Sequence, residues 1–229
     1  MSRGVVFALA ICLTLAAVSL TYVANALWPR WPGASTMPNA PSLPITIGGT
    51  AFNVPPAAIR IPLQRRPGTQ ERIDLAFLWP SLAPPDPTPQ APRPSKPVTG
   101  EALNALDRVF ITVSAANSEI PPNERMKAIY PRYLEDRQLS GPEGLFVIPF
   151  REGTPYQHED LFFEAAAQDH FVARCTRPNA DITPGTCLIE QRIGSADITI
   201  RFLRDWLSDW RKLSSDIDRL LAKLRSSGS

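Results

Sequence analysis

The sequence predicts an α+β protein: a mainly antiparallel β-sheet with a long C-terminal amphipathic helix, preceded by one N-terminal transmembrane helix. Three patterns carry that prediction. They are an uncharged run from Val5 to Trp28, a series of short β-like runs between turn residues, and apolar residues at helical spacing from Leu203 to Leu224.

Val5 to Trp28 holds 24 residues without a charge. As a helix rising about 1.5 Å per residue it reaches about 36 Å, enough to cross a hydrocarbon core of about 30 Å with some tilt. Tyr22, Trp28 and Trp31 gather at its far end, where amphipathic rings favour the headgroup level. Arg3 and the free amine precede the run and Arg30 follows it, a bias toward a cytoplasmic N-terminus at the inner membrane. The expected organisation is a cytoplasmic stub at 1–4, an anchor at 5–28 and a Pro-rich linker at 29–44. A periplasmic domain at 45–225 and a disordered tail at 226–229 complete it.

A cleaved export signal competes with the anchor, because Ala24-Asn25-Ala26 has the small-x-small form of a peptidase site. The apolar stretch ahead of that site is longer than the usual core of about 7–15 residues. Cys12 follows the bulky Ile11 where a lipoprotein has a small residue, so it reads as an inert packing residue. Either way the bulk of the chain lies outside the cytoplasm.

Pro29 to Pro44 carries five of the 25 prolines and no hydrophobic period, as an extended spacer does. Ile45-Thr46-Ile47 and Ala51–Val54 flank Gly48-Gly49 and read as a hairpin. Arg72 to Trp79 alternates as a strand with Ile73, Leu75, Phe77 and Trp79 inside. Eight prolines between Pro80 and Pro97 predict an exposed, mobile loop. Arg108–Val113 reads as a buried strand, Asn123–Tyr130 as a short helix stopped by Pro131, and Gly144–Phe150 as a strand whose Pro149 favours an edge or an end.

Four β-like runs follow with short connections: Asp160–Glu164, His170–Arg177, Thr186–Ile193 and Asp197–Phe202. They imply an antiparallel meander with Arg174, Glu190, Arg192, Thr199 and Arg201 on a solvated face. Within it, Phe171, Ala173 and Cys175 share one apolar face, and Cys187 shares a face with Ile189. Both thiols then point inward across an antiparallel pair, and in an oxidising compartment they are expected to close a disulfide.

From Leu203 the apolar positions Trp206, Leu207, Trp210, Leu213, Ile217, Leu220, Leu221 and Leu224 keep a 3–4 spacing for about six turns. The first half is expected to pack on the sheet. Trp206 and Trp210 are its large anchors; if the second half overhangs, Ile217, Leu220 and Leu224 become a partner-binding stripe, and these five residues are the candidates for binding a protein partner.

Beyond residue 28, 23 basic residues face 22 acidic ones, because Arg3 is the one basic residue removed from 24. That near-neutrality argues against nucleic acid, which needs a concentrated basic footprint. No Gly-x-Ser-x-Gly and no phosphate-cradling glycine loop are present, and Gly48-Gly49 lacks the later glycine and Lys-Ser/Thr. His158 and His170 lie beside Glu159, Asp160 and Asp169 without HxH or HExxH spacing, a weak metal signal. No catalytic residue, metal or cofactor is therefore expected. The alternative is an envelope hydrolase or metal-dependent enzyme using His158, Glu159, Asp169 and His170.

Phe52-Asn53-Val54-Pro55 with Ile59-Arg60, Asp74-Leu75 with Trp79-Pro80, Ala173-Arg174-Cys175, and Asp197–Phe202 before a Trp-Leu helix form an ordered set. In this the chain resembles a group of single-pass, membrane-anchored envelope (periplasmic) proteins of Gram-negative bacteria that has no assigned activity. The resemblance implies location and not mechanism. The expected function is a binding or assembly module of the cell envelope, tied to the lipid bilayer by its N-terminal helix and facing an envelope protein partner. An immunity or inhibitor role shares all of these features.

Overall fold

The computed structural model describes residues 3–27, 36, 40–86, 107–117, 120–164, 171–178 and 184–226. Most of the linker at 29–44, the greater part of the 80–97 stretch, the tail beyond Ser226, and Asp169 and His170 lie outside them. The chain divides into two units, Met1–Gly33 and Ala34–Ser229.

In the first unit the uncharged run forms helix α1, Arg3–Leu27, 25 residues long. Its described apolar side chains are exposed, from Val23 at 50% to Tyr22 at 75%. Among the described residues no helix is long and apolar enough to cross a membrane. The consecutive side chains described in α1 run only from Cys12 to Val23.

The second unit opens with β1 (Leu43–Ile47) and β2 (Thr50–Val54), joined as an antiparallel hairpin at Gly48-Gly49. Pro44 is thus already in a strand, and the linker expected through residue 44 ends sooner. A third strand, β3 (Gly68–Gln70), pairs parallel to β1 and completes a small sheet of order β2-β1-β3. Alternation cannot reveal so short a strand.

The large sheet has eight strands: β4 (Arg72–Leu78), β5 (Arg108–Ala115), β6 (Leu139–Ser140), β7 (Leu145–Pro149), β8 (Glu159–Glu164), β9 (Val172–Thr176), β10 (Thr186–Ile193) and β11 (Ala196–Leu203). They run antiparallel in the order β4-β5-β11-β10-β9-β8-β7-β6. Every strand expected from the sequence is present, and Pro149 falls at a strand end.

Alternate residues build the core. Ile73, Leu75 and Phe77 of β4, Val109, Ile111 and Val113 of β5, and Ile198, Ile200 and Phe202 of β11 are buried on one face. Against that face pack the small sheet, through Ile45, Ile47, Phe52 and Val54, and helix α3 (Trp210–Ser226), through Trp210, Leu213, Ile217, Leu221 and Leu224. Cys175 and Cys187 lie directly opposite each other in the β9–β10 register, both buried, and are joined as the expected disulfide.

Two sheet turns lock the layers together. Gly48 (φ +56°) sits so close to the β10–β11 turn that a Cβ there would lie 2.2 Å from the Ser195 carbonyl oxygen. Next to it the Thr50 hydroxyl accepts from the Ser195 N–H at 3.0 Å and donates to the Ile193 carbonyl at 3.3 Å.

The C-terminal helix begins later than its periodicity predicts. Leu203 still pairs with Thr186, and the Arg204 N–H bonds the Gly185 carbonyl, so the chain stays tied to the sheet. Arg204–Asp209 then forms a 3₁₀ segment, and α-helix starts only at Trp210.

The opposite sheet face differs from its expected solvated character. Helix α2 (Pro122–Ala128) and the 3₁₀ turn Tyr130–Arg132 lie over its β8–β10 half. Tyr130, Phe150, Leu161 and Phe163 form a second apolar cluster there. Arg174 and Glu190 become half-buried instead of solvated.

Candidate functional site

Three groups of polar side chains are organised by this scaffold. The first lies under α2. Glu190 of β10 pairs with Arg125 of α2 at 3.3 Å and accepts from the Tyr130 hydroxyl at 3.4 Å. Arg174 of β9 donates to that hydroxyl at 3.2 Å and approaches Glu159 of β8 at 2.7 Å. The last contact has the distance of an ion pair without the angle of a hydrogen bond. Arg174 also lies over the Tyr130 and Tyr156 rings, at 5.6 and 4.8 Å. Burial pushes the Tyr130 phenol up to about 12, so it holds its proton at every physiological pH. Burial likewise raises the Glu159 carboxyl, opposed by Arg174. Arg125 meets Glu190 and Arg174 meets Glu159, an arrangement suited to holding α2 in place.

The second group sits at the far end of the core face. Asp160, 7% exposed, accepts from Arg177 at 2.8 Å and from Arg204 at 2.7 Å. Arg204 also donates to the Thr176 carbonyl and covers the Phe162 ring. Asp160, Phe162, Arg204 and Leu207 line an open cleft of about 500 Å³ toward Leu139 of the short edge strand β6. Both oxygens of the one carboxylate in this clamp are taken by arginines, so it is a structural fastener for the start of the 3₁₀ segment.

The third group holds the connection between the two sheets. Asp74, on the open face of edge strand β4 and 6% exposed, receives hydrogen bonds from Arg72, from the Gln64 amide at 3.1 Å and from Thr112 at 2.9 Å. The Gln64 amide oxygen accepts from the Asp74 N–H at 2.8 Å. Arg72 chiefly, with Gln64 and Thr112, holds the Asp74 carboxyl down at about 2 against the effect of burial. An unfolded Asp titrates near 4. The folded value is the lower one, so the stabilisation is complete above about pH 4 and is lost as pH falls toward 2. Arg72 is 58% exposed, and solvent screening holds the contribution to about 1 kcal/mol. Asp74→Asn is expected to be less stable than the parent by about that amount at pH 6. Denaturation curves at falling pH should show the gap closing toward pH 2, whereas a gap independent of pH contradicts the assignment.

The residues singled out in the sequence are placed as follows. Trp210, Ile217 and Leu224 are 2–3% exposed in the core, so they present no surface to a partner. Trp206 is half-buried and stacks on Trp79 with ring centroids 5.4 Å apart, and Leu220 is half-buried against the core. The apolar stripe of α3 is covered by the chain's own sheets. His158 is exposed, and its alternative partners Asp169 and His170 lie outside the described residues. Among the described residues no three His, Cys, Asp or Glu side chains are grouped to hold a metal ion. Sequence reasoning missed the segment from Ile59 to Gln70. Its one signal was the cluster of Arg60, Arg65 and Arg66 around Ile61-Pro62-Leu63.

The fold matches an immunity protein of the Stenotrophomonas maltophilia type IV secretion system with a TM-score of 0.55 and 12% identity, covering 81% of this chain and 93% of that one. The iron-regulated outer membrane lipoprotein FrpD of Neisseria meningitidis aligns with a TM-score of 0.43 and 8% identity, over 82% of this chain and 94% of that one. No family model matches the chain. No curated protein matches it in sequence.

Proposed function

We propose that the chain is an envelope binding protein of the immunity type: its domain docks on an exported partner protein and blocks it, while α1 holds the domain at the periplasmic face of the inner membrane. The observation that carries this reading is the shared fold with an immunity protein along 93% of that protein's chain. A buried disulfide between β9 and β10 supports an oxidising compartment. The side chains described in α1, Cys12 to Val23, carry no charge and are mostly apolar, which supports lipid as their surroundings. The ion pairs of the domain fasten its own elements together, as in a rigid binding scaffold.

An exported protein captured with this chain from membranes, then directed to the periplasm by itself, is expected to arrest growth only in cells that lack the chain. Full-length chain purified in detergent should form a 1:1 complex with it. Equal growth in both strains, together with a chain that purifies alone, overturns the reading.

A further inference from the structure

Apart from α1, the most exposed large apolar side chains on the described residues include Ile61, at 40%, and Leu63, at 61%. They flank Pro62 at the tip of the segment that leaves β2 and returns as β3. An apolar tip on an unstructured loop would mean little. Here the backbone beneath it is fixed from several directions. The 3₁₀ turn Pro62–Gln64 closes through Gln64 N–H to the Ile61 carbonyl at 2.9 Å and Arg65 N–H to the Pro62 carbonyl at 3.1 Å. Arg65 donates to the Ile59 carbonyl at 3.0 Å. The Gln70 amide, 8% exposed as a residue, donates to the carbonyls of Gln64 at 3.1 Å and Arg66 at 2.7 Å. From below, Gln64 grips both the side chain and the backbone of Asp74.

The tip is therefore preorganised, with the Gln64 and Gln70 amides turned inward and two hydrophobic side chains turned out. Its charge is one-sided. Arg60, Arg65 and Arg66 make no ion pair with a described carboxylate, and Glu71 is the one exposed acid on the segment. Arg72 and Asp74 neutralise each other. Rigid presentation lowers the ordering cost of binding, and apolar anchors ringed by arginine are typical of interface hot spots.

We infer that the Arg60–Arg66 loop is the docking element of this protein, inserting Ile61 and Leu63 into an apolar-floored cleft of a partner protein whose rim is acidic. The inference rests on the proposed binding function and names the surface that performs it. A lipid surface is the poorer occupant, because interfacial binding uses a long amphipathic face, whereas this tip has two side chains on one turn.

The test uses the full chain in its native membrane. A photoreactive benzoylphenylalanine replaces Leu63, with the same replacement at exposed Ala222 of α3 as the control. The exported protein from the 1:1 complex serves as the probe, alongside titrations of Leu63→Asp and Arg66→Glu. Position 63 is expected to crosslink to an Asp- or Glu-bearing peptide of that protein, and position 222 is not. Leu63→Asp should weaken binding about 100-fold, within the range of hot-spot losses. Arg66→Glu should slow association about 10-fold at low salt and less at high salt. Adducts to lipid, or a complex as tight with Leu63→Asp as without it, overturn the docking loop and leave the binding function standing. A full chain that forms no complex overturns both.

Discussion

Trp210→Ala is expected to destabilise the domain by about 4 kcal/mol, the cost typical of truncating a buried tryptophan. Trp210 is 2% exposed at the first turn of α3, where the helix meets the sheet. Its ring lies 4.9 Å from that of Phe171 beside β9, and its indole N–H donates to the Glu143 carbonyl at 3.2 Å. Truncation removes the contact with β9, leaves the Glu143 carbonyl without that donor, and opens a cavity beneath Leu213 and Ile217. For a domain of this size the loss corresponds to a fall in melting temperature of about 10 °C. Scanning calorimetry checks it. Trp206→Ala is the comparison: Trp206 is half-buried on the neighbouring 3₁₀ segment and stacks on Trp79, so its loss should be less than half as large. Equal effects would mean that α3 is not seated through Trp210.

The double variant Cys175→Ala/Cys187→Ala is expected to lose about 3 kcal/mol, from the chain-entropy value for a loop of this length. The pair is separated by 12 positions and is buried between Ala173 on its own strand and Phe202 across from it. Replacement by alanine keeps both sites apolar, so the loss reports the crosslink more than the packing. Urea denaturation of parent and variant measures it, and reduction of the parent should bring its curve onto that of the variant. A variant as stable as the oxidised parent contradicts a structural role for the bond.

How much of this was legible in the sequence depends on how each element is specified. Strands of five to eight residues announce themselves by alternation, and β4, β5 and β10 lie where Arg72–Trp79, Arg108–Val113 and Thr186–Ile193 placed them, within two residues at their ends. The disulfide was legible because Cys175 and Cys187 share a face parity with Ala173 and Ile189. Short or irregular pieces were not. β3 has three residues and β6 has two, too few for any period. The 3₁₀ segment at Arg204–Asp209 keeps apolar residues at Trp206 and Leu207 that also suit an α-helix, and only the bond from Arg204 to Gly185 separates the two readings.

The candidate surface was harder to read for a related reason. A sequence leaves open whether the second half of α3 overhangs, because it cannot show that Ile217 and Leu224 are covered by the core. The loop at Ile61 and Leu63 looked ordinary because its rigidity comes from Asp74 and Gln70, which are later in the chain and fold back beneath it. Side chains that act through non-local hydrogen bonds leave no periodic trace.

The proposed function requires a disulfide-closed domain held on the oxidising side of a membrane by α1. Its most direct test is to block free thiols in intact cells and wash the membranes with carbonate. Protease is applied before and after the outer membrane is opened, and the peptides are read by mass spectrometry. The chain is expected to stay in the membrane pellet, to carry Cys175 linked to Cys187, and to be cut in its domain only after the outer membrane is opened. A chain found in the soluble cytoplasmic fraction with both sulfurs alkylated would contradict it.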